Sequence, residues 1–128
     1  MDKEINFDLK ERFVEFAVRI IKLSEALPET RACNHIRCQV LRSGTSPALN
    51  YGEAQSAESR ADFIHKLKLA LNELRETEVW LKIITRAELV QPTDKLLPLL
   101  QETSELVSIL FKSVETAQKN KSPNSKAK

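Results

Sequence analysis

Residues 39–54, QVLRSGTSPALNYGEA, decide how many helices this chain has. Gly44, Pro47 and Gly52 each oppose a helix there, the proline by about 3 kcal/mol in a helix interior. Taken as a break, the stretch is a loop; taken as continuous, it is the second half of one long helix. Projection at about 100° per residue favours continuity, because Ala32, Cys33, Ile36, Val40, Tyr51 and Ala54 then share one face. Thr30 supplies an N-cap for that helix. Ser43 and Asn50 fall at the edge of the core-facing side, with Ser46 and Glu53 on the adjoining flank. These four form a structural polar line able to hydrogen-bond across a helix seam. Gly44 and Gly52 would let another helix approach closely. Local rules tend to fail at functional or assembly positions. Nothing in the stretch has the form of a catalytic site, so it reads as a packing and assembly signature.

The flanking segments complete an all-α pattern. Between Asp8 and Leu27, the residues Leu9, Phe13, Phe16, Ala17, Ile20, Ile21, Leu23 and Leu27 recur mostly three or four apart, and Pro28 ends that helix. Ser56 or Ser59 caps the third helix, Ser59 and Asp62 being spaced as a variant capping box. Its core face is Phe63, Ile64, Leu67, Ala70, Leu71, Leu74 and Leu81. The polar turn RAELVQPTD separates it from a fourth helix that Thr93 or Asp94 can start. Leu96, Leu97, Leu100, Val107, Leu110, Phe111 and Val114 form the expected core line there, with Pro98 near its beginning. Four helices with short connections predict an up-down-up-down antiparallel four-helix bundle over residues 1–118. The basic segment 119–128, with no apolar anchor, is expected to be disordered.

Composition agrees and limits the function. The 128 residues suit one domain, and two glycines, 5% aromatic and 30% charged residues suit a helical one. No apolar run approaches the roughly 20 residues of a membrane span, and the start, MDKEINFDLKERF, lacks the basic flank and apolar run of a secretory signal. A cytoplasmic protein is expected. The net charge of +2 conceals an asymmetry, since setting aside four tail lysines among the 20 basic residues leaves 16 against 18 acids. Any positive surface must therefore come from clustering, from the tail, or from several copies brought together.

The helices carry more apolar surface than one bundle core needs. Leu69 and Trp80 point about 200° from Leu67, Ile83 and Ile84 lie outside the main stripe, and Leu41 and Leu49 are off the second helix's face. Leu99, Leu106 and Ile109 add a second line on the fourth. These residues predict a homo-oligomer interface, represented by Leu49, Leu69 and Trp80.

Chemistry-bearing residues are sparse. Cys33 and His35 point about 200° apart on a helix and no fourth ligand accompanies them and Cys38, so no metal site is expected. Both cysteines read as reduced, and His65 as a surface residue. No nucleophile triad, phosphate loop or di-iron pattern occurs, so neither enzyme activity nor a cofactor is expected. Basic residues say more. No acid lies between Glu29 and Glu53, where Arg31, Arg37 and Arg42 stand, and Lys68, Arg75, Lys82 and Arg86 follow one edge of the third helix at spacings of 7, 7 and 4. Such a stripe suits a phosphate backbone; the competing reading is a snorkelling flank paired with nearby acids. Interleaved aromatics are absent, which leaves sequence-specific readout without support.

The run QVLRSGTSPALNYGEA followed by SRADFIHKLKLALNELRETEVWL resembles the four-helix-bundle family of proteins encoded by intervening sequences in bacterial 23S rRNA genes. The similarity spans roughly residues 7 to 118, taking in ERFVEFAVRIIKLSEALP as its first helix. Arg42, Ser43, Gly44, Thr45, Ser46, Asn50, Tyr51, Glu53 and Ala54 fill the places of an Arg-Ser-Gly-Thr-Ser run, an Asn-Tyr pair and a Glu-Ala pair. Ala48 and Leu49 stand where the pattern has Gly-Ala. The resemblance implies a ring-like homo-oligomer, a pentamer, without catalytic residues. Relatives include accessory variability proteins of diversity-generating retroelements, which act with nucleic acid and a reverse transcriptase through a basic oligomeric surface. Together these readings predict a non-enzymatic oligomer that contacts RNA or DNA through Arg37, Arg42, Lys68, Arg75 and Lys82. The alternative is a protein-interaction scaffold serving a nucleic-acid enzyme.

Overall fold

Pro47 does not break its helix. In the computed structural model, which describes residues 2–127 and the side-chain surroundings of residues 9–120, the second helix runs unbroken through it. The basic tail expected from residue 119 lies largely outside those described side chains. The helices are α1 (Asp2–Ala26), α2 (Arg31–Gln55), α3 (Arg60–Arg86) and α4 (Leu97–Ala127), the last preceded by a 3-10 turn, Thr93–Leu96. No strand occurs among the described residues.

Pro47 sits inside the helix with its ring buried, and the two hydroxyls just before it bind carbonyls one turn back. Thr45 Oγ1 donates to the Leu41 carbonyl and Ser46 Oγ to that of Arg42, each at 2.7 Å. Gly44 answers a different demand. A Cβ at this position would lie 2.7 Å from Ile20 Cγ1, so α1 reaches the α2 backbone only because the side chain is missing. Gly52 does not share that role: nothing would lie within 4 Å of its Cβ. Of the two glycines expected to admit a neighbouring helix, one does.

Helix ends follow local chemistry. Thr30 Oγ1 accepts from the Cys33 amide and Ser59 Oγ from the Asp62 amide, both at 3.1 Å, which fixes the starts of α2 and α3. Ser56 ends α2 instead of starting α3. At the end of α3 the amides of Glu88 and Leu89 bond to the carbonyls of Thr85 and Ile84, each at 3.1 Å. This Schellman arrangement places Glu88 at φ 55, where glycine is the usual occupant.

Each helix packs on its chain neighbours, and α1 meets α4 more loosely to close the bundle, giving the expected all-α four-helix architecture. The core of α1 and most of that of α3 follow the expected faces. On α4 the face differs. Leu97 and Phe111 are 58% and 47% exposed, whereas Leu99 and Leu106 are buried. The true stripe is Leu96, Leu99, Thr103, Leu106, Leu110, Val114 and Ala117, all buried. Thr103 concealed it: the hydroxyl satisfies itself on the Leu99 carbonyl at 2.7 Å and enters the core as though apolar. Thr77 does the same on α3, where Ile84 is core and not off-face. Ile21 and Ala32, placed in the core by periodicity, are exposed.

Candidate nucleic-acid interface

Two sets of cations have different surroundings. Arg37 rises from α2 over the end of α1, where the last turn leaves carbonyls without intrahelical partners. Its Nε donates to the Ser24 carbonyl at 2.9 Å, and its Nη2 to those of Leu27 and Pro28 at 2.6 and 3.1 Å. Nη1 donates to Asn34 Oδ1, and Glu29 lies 3.7 Å away. Arg37 thus caps α1 from a neighbouring helix, its charge set against the negative end of the helix dipole. Arg42, though exposed, also meets protein groups. Its Nη1 lies 3.0 Å from Glu73 Oε1 and its Nη2 bonds Glu76 Oε2, both carboxylates on α3. Most donors of Arg37 are committed to protein acceptors, and both Nη groups of half-exposed Arg42 are paired with carboxylates.

Lys68, Arg75 and Lys82 differ. All three are exposed, and no ion pair among the described residues uses any of them. At seven-residue spacing they follow one edge of α3, with about 10 Å between successive positions. Arg86 continues the edge. On the adjoining helix, the misassigned Phe111 becomes part of this surface, its ring under Arg75 with Cζ 5.8 Å from the centroid. Sequence reasoning missed this aromatic because it placed Phe111 in the core. The signal lay in the unbroken stripe through Thr103, which turns Phe111 outward.

The expected interface residues fall on one side of the bundle. Leu49 is 70% exposed on α2, Leu69 is exposed on α3, and half-buried Trp80 meets His35 edge-on with centroids 5.9 Å apart. Val14, Val18 and Ile21 add an exposed apolar line on α1, two of them not singled out by sequence and the third assigned to core. The polar line reaches across the α2–α3 seam at two points. Ser43 Oγ lies 2.7 Å from Thr77 Oγ1, itself 2.9 Å from the Glu73 carbonyl, so a single relay of hydroxyls satisfies all three groups. Glu53 receives Lys66 Nζ at 2.9 Å, and this bond raises the lysine's pKa. Ser46 turns back on its own helix, and half-buried Asn50 makes no side-chain hydrogen bond among the described residues. On the opposite seam Arg12 forks onto Glu102 at 3.0 and 2.8 Å and reaches Glu105 at 2.9 Å, a pairing that raises its own pKa and joins α1 to α4.

Cys33 is buried and Cys38 exposed, and no group of three His, Cys, Asp or Glu side chains among the described residues is placed to hold a metal. No helix there is long and apolar enough to cross a membrane.

No curated protein matches this sequence. A crystal structure from Bacteroides thetaiotaomicron VPI-5482, of a protein with unknown function from the S23 ribosomal protein family, is similar at 38% identity and a TM-score of 0.76. The match covers 83% of this chain and 97% of that one. Residues 6–112 match the family described as 23S rRNA-intervening sequence protein, and with the four-helix fold this establishes that the chain belongs to that family.

Proposed function

We propose that this chain is a non-enzymatic, cytoplasmic homo-oligomer that holds single-stranded RNA or DNA by its backbone. The observation that carries the reading is the edge Lys68, Arg75 and Lys82, exposed and without acidic partners among the described residues, beside the exposed Phe111 ring. Successive cations about 10 Å apart match about three stacked nucleotides at 3.4 Å each. Phe111 offers a face on which a base of any identity can stack, so binding is tolerant of sequence. Arg37 and Arg42 play no part in it, because their donors serve α1 and α3. The apolar line Val14, Val18 and Ile21, with Leu49, is the surface through which copies associate into the ring implied by the family, multiplying the stripe. Family kinship with proteins of rRNA intervening sequences supports this reading without identifying the nucleic acid.

Titration of a fluorescent single-stranded RNA with purified protein tests it. Binding is expected to weaken steeply with salt, and joint Arg75→Glu and Lys82→Glu reversal to lower affinity at least about tenfold. An assembled protein without salt-sensitive RNA or DNA binding ends the proposal. Exposed Val79 and Ile83 on the same helix favour a second reading, an accessory surface for a nucleic-acid enzyme. That version predicts recovery of a protein partner that survives nuclease treatment.

A further inference from the structure

Where α1 ends, its seam with α4 opens into a cleft of about 310 Å³. The floor is aliphatic: Leu23, Val90, Leu96 and Leu99, all buried side chains with little of their surface left to solvent. Three cations stand on the rim, Arg19 and Lys22 from the last turns of α1 and Lys95 from the 3-10 turn. No acid lines the cleft, and none of the three cations has an ion-pair partner among the described residues. Among the carbonyls at the end of α1, a local source of negative charge, that of Ser24 is bonded to Arg37, as are those of Leu27 and Pro28 just beyond the helix. A bundle end of this kind has an apolar interior and an uncompensated positive rim, and the size is at the lower end of small-molecule sites.

We propose that this cleft binds a small amphiphilic carboxylate of medium-chain fatty-acid type. The carboxylate sits among Arg19, Lys22 and Lys95, and the tail lies over Leu23, Val90, Leu96 and Leu99. Charge selects the head group, since three cations without acids oppose a neutral or cationic one. The floor selects the tail, and each added methylene tightens binding about fourfold until the cleft is full. The nucleic-acid stripe uses none of these side chains, so the two proposals stand or fall separately.

Calorimetric titration of the full-length chain with sodium octanoate tests the site, with acetate and octanol as head-only and tail-only probes. Octanoate is expected to bind at least about tenfold more tightly than either, because both halves of the site must be filled. Lys22→Glu and Lys95→Glu should each weaken it about tenfold without altering the thermal melting of these exposed positions. Ala26→Trp, at an exposed position lining the cleft, should abolish binding by filling it. Failure of octanoate to bind, octanol binding as tightly as octanoate, or octanoate binding that survives both Ala26→Trp and the charge reversals would overturn the proposal.

Discussion

The α2 arginines and the α3 stripe contain the same kind of residue in different circumstances. Arg37 and Arg42 lie in a segment free of acids in sequence, yet folding brings them α1 carbonyls in one case and α3 carboxylates in the other. Lys68, Arg75 and Lys82 lie on a helix containing four acids, yet none of those acids pairs with them. Local charge density in sequence is thus a poor guide to available charge. What matters is the direction of each side chain relative to the seams, since a seam supplies partners and an outer edge does not.

The contrast is open to attack at several strengths. Arg37→Ala removes a charged donor from each of three carbonyls at and just beyond the end of α1, leaving that of Leu27 without the bond it has, and should cost about 2–3 kcal/mol, read as a lower midpoint in urea unfolding. A loss under about 0.5 kcal/mol would return Arg37 to the pool of free cations. Gly44→Ala should cost a comparable amount, about 1–3 kcal/mol, because the new methyl meets the buried Ile20, while Gly52→Ala should be neutral or stabilising in the same assay. Glu88→Gly should stabilise by about 1 kcal/mol in thermal melting, by relieving the left-handed backbone where α3 ends, and should leave RNA affinity unchanged. Arg42→Ala should cost only about 0.5–1 kcal/mol, since its partly exposed pairs with Glu73 and Glu76 are screened by water.

The smallest effect concerns pH. Burial raises the pKa of Tyr51, which packs on Phe13 at 5.2 Å between ring centroids. The folded state therefore holds its phenolic proton more tightly than the unfolded state. That contribution to stability is complete below the unfolded value near 10 and is lost as pH rises through the higher folded value. Tyr51 is the sole tyrosine, so phenolate absorbance reports it directly, and Tyr51→Phe should flatten this part of the alkaline stability profile.

Much of the fold was legible because α1, α2 and α3 show their apolar period openly, with Thr30 and Ser59 as visible caps. The continuity of α2 through Pro47 was legible only by projecting the period across it. The face of α4 was not, because Thr103 interrupts the stripe in sequence while its hydroxyl is satisfied within the helix. That one residue also hid Phe111 from the candidate surface. Among the polar line, the Ser43–Thr77 bond was anticipated in kind but not in partner, since pairing across a seam depends on the register of two helices. The capping role of Arg37 was illegible for the same reason: its partners are backbone atoms, which carry no residue-specific signal. The cleft at the end of α1 depends on three separate segments meeting, and no local motif announces it.

The most direct test measures RNA affinity against salt for the wild type, for joint Lys68→Glu, Arg75→Glu and Lys82→Glu reversal, and for Arg42→Ala. Three backbone contacts on a single strand predict a log–log slope of about −2 or steeper for the wild type. Arg42→Ala should reproduce that slope and affinity, whereas the α3 reversal should bind weakly and nearly independently of salt while melting as the wild type does. Wild-type affinity and slope in the folded α3 variant would contradict the account.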